Sequence, residues 1–215
     1  MDLLIFDLDG TLVDSRLDLA NAVNAMREHL GMSQLTNERV YTYVGNGAQV
    51  LVRKSLGEQG GEDLFQTGYA FFMEYYGAHD LDFTTLYPTV RESLDRFRDA
   101  GKRMAVLTNK PSVMTHHILE GLGVSGHFFR MFGGDSLAQR KPDPIGVEML
   151  MQEAGVDRAH TMMVGDSSVD VATARNAGIA CCGVTYGFQP ESLADPAPQL
   201  LVDRMEQFAD WLLKK

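Results

Sequence analysis

Three observations place this chain in the α/β class, as a parallel sheet with helices on both faces and an all-helical insertion near its start. The chain opens on a short apolar run, Leu3-Leu4-Ile5-Phe6, that reads as a strand. From about residue 81 onward, apolar runs alternate with helical patterns, the signature of a sheet built from strand-helix-strand units. Between them, residues 16–80 carry helical spacing and nothing that looks like a strand. With 215 residues the chain can bury a sizeable core as one domain carrying an insertion.

The opening run delivers two carboxylates, Asp7 and Asp9, to a turn at Gly10. Extended residues two apart face the same side, so both can project into one site. Ser15 followed by Asp18 has the form of a helix cap, and Leu19, Val23, Met26 and Leu30 then recur at helical intervals up to Gly31. Thr36 caps a second helix through Val40 and Val44, which stops at Gly45-Asn46-Gly47. A third run carries Val50, Leu51 and Leu56. A polar break spans Gly57 to Glu62, and the stripe Phe65, Tyr69, Phe72 and Tyr76 continues the helical spacing as core of the insertion.

Beyond residue 81, Tyr87-Pro88 punctuates the chain, and Val90, Leu94 and Phe97 form one helical face closed by Gly101. Met104 to Leu107 reads as a strand ending in Thr108-Asn109-Lys110-Pro111, with a helix from Ser112 to Leu122. Phe128 to Phe132 is a further strand. Asp143-Pro144 has the form of a cap with proline at the first helical position, for a helix reaching Ala154. Thr161 to Val164 feeds Gly165-Asp166-Ser167-Ser168 and a helix to Gly178. Ile179 to Val184 and Leu200 to Val202 are the last strands, before a helix carrying Phe208, Trp211 and Leu212.

Composition narrows the function classes. A net charge of -10 argues against a broad nucleic-acid surface, which needs clustered cations. The adjacent Cys181 and Cys182 have neither the number nor the spacing of a disulfide framework or zinc site. No apolar run approaches the ~20 residues of a spanning helix, and the first apolar run carries carboxylates rather than the features of a targeting segment. These features predict a cytoplasmic protein with no membrane partner. The six histidines show no ligand spacing, and His116-His117 reads as surface.

In open parallel sheets the site lies beyond the carboxyl ends of the strands. Asp7, Thr108 and Asp166 each follow an apolar run, so this rule brings three distant residues to one edge. Taken singly, each has a plainer reading: an acidic turn for Asp7-Asp9-Gly10, a strand cap for Thr108, a solvated loop lysine for Lys141, and a cap with a dipole-matching carboxylate for Asp166 and Asp170. Together, Asp7-Leu8-Asp9-Gly10-Thr11, Thr108-Asn109, Lys141-Pro142 and Gly165-Asp166-Ser167-Ser168-Val169-Asp170 resemble, in order and spacing, the four motifs of the haloacid dehalogenase-like hydrolase superfamily. The resemblance covers the whole chain. It implies a Rossmann-like catalytic core over 1–15 and 81–215 and a helical cap domain over 16–80.

By this resemblance, Asp7 is the nucleophile that attacks a phosphate ester and Asp9 the general acid and base. The second aspartate points to the phosphotransferase branch rather than the dehalogenases. The Asp7 side chain, the Asp9 carbonyl and Asp166 hold a divalent cation, with Asp170 in or near the ligand shell. Oxygen-only ligands at a phosphate favour Mg²⁺. Lys141, Thr108 and the amides from Asn109 onward bind phosphoryl oxygens. The implied partner is a small phosphorylated metabolite, for a monomer or homodimer.

Within the superfamily, Val44 to Ala48, Leu51-Val52-Arg53, Thr108 to Pro111 and Val184 to Phe188 resemble the phosphoglycolate phosphatase family. Gly45, Asn46, Gly47 and Arg53 are the insertion's candidates for contacting substrate, with Lys54 beside Arg53 as a second cation. Thr89 departs from the pattern, since the Tyr-Pro turn commonly continues with glycine. The favoured substrate is 2-phosphoglycolate. Pyrophosphate, nucleotide or sugar-phosphate hydrolysis and a sugar phosphomutase are the alternatives on the same edge, and a non-catalytic phosphate-binding regulator is the alternative of another class.

Overall fold

The computed structural model describes residues 1–57, 61–195 and 197–214. In chain order these form β1 (Leu3–Phe6), β2 (Val13–Asp14), α1 (Arg16–His29), α2 (Asn37–Tyr41), α3 (Ala48–Leu56), α4 (Glu62–His79), β3 (Thr85–Leu86), α5 (Val90–Asp99), β4 (Arg103–Leu107), α6 (Ser112–Gly121), β5 (Arg130–Phe132), α7 (Ile145–Ala154), β6 (Thr161–Gly165), α8 (Ser168–Ala177), β7 (Ala180–Val184), β8 (Leu200–Val202) and α9 (Met205–Leu213). No helix among the described residues is long and apolar enough to cross a membrane.

Six strands pair in the order β5-β4-β1-β6-β7-β8, every pairing parallel. The opening strand is therefore central, which explains its unbroken apolar run: a central parallel strand is covered on both faces. Leu4 and Phe6 pack on one side with Val90, Leu94 and Phe97 of α5, Ile118 and Leu119 of α6, and Phe208 of α9. Leu3 and Ile5 pack on the other with Val147 and Leu150 of α7 and Val171 and Ala174 of α8. Burying such side chains contributes ~1.5–3 kcal/mol each.

Helices α1 to α4 form a separate apolar cluster around Val23, Met26, Val40, Val52, Phe65, Phe72 and Tyr76, joined by Met114 of α6. The aromatic stripe on α4 is thus largely core, as its spacing indicates. The chain enters this helical segment through β2 and leaves it through β3, a two-residue antiparallel ribbon pairing Val13 with Leu86 and Asp14 with Thr85. Buried Asp18 on α1 clamps the return, accepting hydrogen bonds from the amides of Phe83 and Thr84 and from the Thr84 hydroxyl at 2.7–3.1 Å. The ribbon is too short for a periodic pattern to reveal it.

Several local expectations shift. The Ser15 hydroxyl makes no capping bond to α1 and donates instead to Asp9 Oδ1 at 2.5 Å. Thr36 does cap α2. The Phe128–Phe132 strand contracts to Arg130–Phe132. Asp143 accepts from the Ile145 amide at 3.0 Å, and α7 begins after Pro144 rather than on it. The polar break between α3 and α4 falls partly on residues 58–60, outside the described residues. Thr89 holds φ +66°, the only non-glycine residue with positive φ among those described. A glycine would enter this left-handed region without steric cost, whereas a β-branched residue does so under strain.

Candidate active site

The carboxyl edge of β4, β1 and β6 carries the first layer of the site. The Asp7 amide donates to Val164 O at 2.9 Å and the Thr108 amide to Phe132 O at 3.0 Å, so the ladder runs on just past the strand ends and fixes both residues at the edge. Asp166 follows β6 directly, Lys141 arrives from the loop before α7, and Asp170 lies in the first turn of α8. Lys141 Nζ bridges Asp7 Oδ1 at 2.9 Å and Asp170 Oδ1 at 2.6 Å. Asp166 accepts from the Phe188 amide at 2.7 Å and the Thr11 hydroxyl at 3.3 Å. Asp170 Oδ2 accepts from the Ser167 amide and hydroxyl at 3.1 and 2.7 Å.

Asp7, Asp166 and Asp170 are all buried, and one oxygen of each lies within 4.8 Å of the others. Three glycines make this possible. A Cβ at Gly10 would stand 2.2 Å from Asp166 Oδ2, one at Gly187 2.2 Å from Asp166 Cβ, and one at Gly165 2.2 Å from Asp170 Cγ. Real Cβ atoms do not approach so closely, so the carboxylates occupy space that glycine leaves free. Three buried carboxylates facing one ammonium leave an excess of negative charge, and an all-oxygen set of this kind suits a hard divalent cation.

A second polar cluster lies beside the first. Lys110, buried after β4, places Nζ 3.0 and 3.2 Å from the two oxygens of Asp9 and 2.6 Å from the Tyr76 hydroxyl on α4. These residues face a cavity of about 40 Å³ between the sheet edge and the helical segment. Asp7, Asp9, Thr108, Asn109 and Lys110 line it from the sheet, and Val44, Gly45, Gly47, Phe72 and Tyr76 from the helices. Two further bonds cross the gap: Asn109 Nδ2 donates to Gly45 O at 3.1 Å, and Gln189 Nε2 to Val44 O at 2.6 Å.

Residues 4–184 match the family model described as haloacid dehalogenase-like hydrolase. The chain belongs to the haloacid dehalogenase-like hydrolases. This hydrolase is similar to proteins named phosphoglycolate phosphatase from Vibrio parahaemolyticus, at 38% identity covering 97% of this chain and 94% of the relative, and from Pseudomonas putida, at 44% identity covering 94% and 76%. It also superposes on the crystal structure of a predicted phosphoglycolate phosphatase from Haemophilus somnus with a TM-score of 0.91, at 35% identity over 99% of this chain and 96% of that one.

Electrostatically, the hydrolase site is two paired clusters. Burial pushes the Asp7 carboxyl up to about 6, with Lys141 opposing and Asp170 adding to the rise. Burial also raises Asp166 well above the carboxylate range, helped by the charges of Asp170 and Asp7. Burial alone would lower both lysines. The charges of Asp170 and Asp7 on Lys141, and of Asp9 and Tyr76 on Lys110, overcome it and hold both above the ordinary lysine value.

The structure brings Asp7, Asp9, Thr108, Asn109, Lys141, Asp166 and Asp170 to one edge, with Gly45 and Gly47 opposite. Asn109 spends its side-chain donors on Gly45 O and Lys141 O, so it joins parts of the site rather than offering its side-chain amide to a ligand. Asn46 does not line the cavity. Arg53 lies elsewhere, half-exposed, paired with Glu62 at 3.1 Å and stacked on Phe65. Lys54 also lies outside it, near the Tyr43 ring. Lys110, Tyr76, Ser15, Thr11 and Phe188 contact the site's charged groups, a role the sequence does not single out for any of them. Lys110 stood in view within the Thr108 to Pro111 motif, and Tyr76 carries a polar tip on an otherwise apolar stripe.

Proposed function

We propose that this hydrolase is a Mg²⁺-dependent phosphomonoesterase that acts through an aspartyl phosphate on Asp7, with 2-phosphoglycolate as substrate. The observation that carries the reading is Asp7 itself: a buried carboxylate held by Lys141 and grouped with Asp166 and Asp170, with Asp9 facing the same cavity. Asp7, Asp166 and the Asp9 carbonyl would hold the cation, while Asp170, engaged on both oxygens by Lys141 and Ser167, supports them from behind. When bound, a divalent cation supplies positive charge that offsets repulsion between the phosphate dianion and Asp7.

The residues divide the reaction between them. Asp7 attacks phosphorus, and the ester P–O bond breaks as Asp9 gives its proton to the departing oxygen. Asp9 then takes a proton from the water that attacks the aspartyl phosphate, releasing phosphate and restoring Asp7. Lys141 and the Thr108 hydroxyl offer positive charge and a donor to the transferring oxygens. Residues 16–80 serve as a cap domain over the core of 1–15 and 81–215, a division supported by the separate apolar cluster of α1 to α4.

The substrate class rests on the relatives' name. The cavity is lined from the sheet by Asp7, Asp9 and Thr108 and from the helices by Val44 and Gly47, so the leaving group lies between the two. A panel of phosphate esters assayed with Mg²⁺ and with EDTA tests the reading. Expected is Mg²⁺-dependent turnover led by 2-phosphoglycolate and abolished by Asp7→Asn. A flat substrate profile overturns the substrate, and full turnover by folded Asp7→Asn protein overturns the mechanism.

A further inference from the structure

We infer that Lys110, with Tyr76 beside it, recognises a carboxylate on the leaving group and so selects phosphorylated 2-hydroxy acids over neutral esters. The inference rests on the phosphomonoesterase reading above. Among the described residues lining the cavity, Lys110 carries the one positively charged side chain. Lys141 is turned to Asp7 and Asp170, and Arg53 is paired outside with Glu62. With Lys141 given to the phosphoryl end, an anionic group on the leaving side meets the Lys110 ammonium.

The distances suit a particular substrate length. Asp9 must come within hydrogen-bond range of the ester oxygen that it protonates. In a phosphorylated 2-hydroxy acid, the carboxylate carbon stands two single bonds from that oxygen, roughly 2.5 Å across. Lys110 Nζ lies 3.0 and 3.2 Å from the Asp9 oxygens, so an ester oxygen at Asp9 presents its carboxylate to the same ammonium. The Tyr76 oxygen accepts from Lys110 at 2.6 Å, and its hydrogen has no acceptor among the described residues, which leaves a second donor for the carboxylate. Burial of both side chains excludes competing water and strengthens a charge-assisted bond. The substrate carboxylate would exchange with Asp9 for the ammonium, freeing Asp9 for proton transfer.

The plainer alternative is that Lys110 only orients Asp9. The two differ in what the enzyme discriminates. Initial rates are measured for 2-phosphoglycolate and for 2-hydroxyethyl phosphate, its neutral analogue of equal chain length, with wild type, Lys110→Gln, Lys110→Arg and Tyr76→Phe. Wild type is expected to prefer phosphoglycolate. Lys110→Gln should lower that preference by roughly 10- to 100-fold, mainly through KM for phosphoglycolate. Lys110→Arg should retain part of it, and Tyr76→Phe should lose a smaller part.

Glycolate should also inhibit the wild-type enzyme competitively where ethylene glycol does not, a readout independent of any variant. Equal losses on both esters in Lys110→Gln, with the preference intact, overturn the inference and leave the phosphomonoesterase reading standing. So does a wild type that hydrolyses both esters without preference. A wild type that hydrolyses neither overturns both readings.

Discussion

Binding of Mg²⁺ should stabilise this protein more at pH 7.5 than at pH 5, because the carboxylate cluster is costly to ionise when no cation is bound. Unfolded, Asp7 titrates near 3.8; folded, burial moves it to about 6, and Asp166 moves upward with it. Between those values the folded chain keeps protons that the unfolded chain has lost. The cluster's contribution is therefore complete below about pH 4 and is lost as pH rises through 6. For Asp7 alone the full loss is ~3 kcal/mol, of which about half is already incurred at pH 5.

A divalent cation replaces those protons and relieves the repulsion, and its affinity rises over the same window because its ligands must be deprotonated. The relief thus grows by ~1–2 kcal/mol between pH 5 and pH 7.5. For a chain of this size that corresponds to roughly 2–8 °C in melting temperature. Melting curves of EDTA-treated protein with and without saturating Mg²⁺ at the two pH values measure the difference, so that every carboxyl outside the site cancels. Calorimetry in buffers of different ionisation heat should show proton release on binding near pH 6. A Mg²⁺ shift equal at both pH values, or one fully retained by Asp166→Asn, refutes the reasoning.

Other perturbations follow from single contacts. Lys141→Met removes the ammonium from Asp7 and Asp170; urea unfolding without metal should show a loss on the order of 3–5 kcal/mol, and turnover should vanish. Gly187→Ala sets a methyl 2.2 Å from Asp166 Cβ and 2.5 Å from Gly10 O; titration calorimetry should show Mg²⁺ affinity reduced at least about tenfold with the circular dichroism spectrum unchanged. Thr89→Gly relieves the left-handed strain at φ +66° while losing the bond from the Glu206 amide; the urea midpoint should rise, for a net gain on the order of 0.5–1 kcal/mol.

What the sequence disclosed and what it withheld divide along a physical line. Asp7, Thr108 and Asp166 were legible because a strand's apolar run ends just before each, and the parallel-sheet rule then assembles one edge from local signals alone. Helical spacing, a second local signal, marked the apolar faces that pack in α1, α4 and α5. Lys110 shares the strand end of β4, but its partners are not local. Its role comes from Asp9, 101 residues earlier, and from Tyr76, 34 residues earlier on a helix whose stripe reads as core.

Arg53 fails for the converse reason. Its position in a suggestive motif is a local fact, but α3 turns it toward Glu62 and Phe65, and only the packing of α3 on α4 decides that. Thr89 lies between these cases: the departure from glycine was visible in the chain, and its positive φ shows why glycine suits the position. Chemistry at the sheet edge is thus encoded by strand ends, whereas selectivity is encoded by contacts across the gap to the helical segment. A chain can keep the first while redrawing the second through residues such as Lys110 and Tyr76, which meet across that gap.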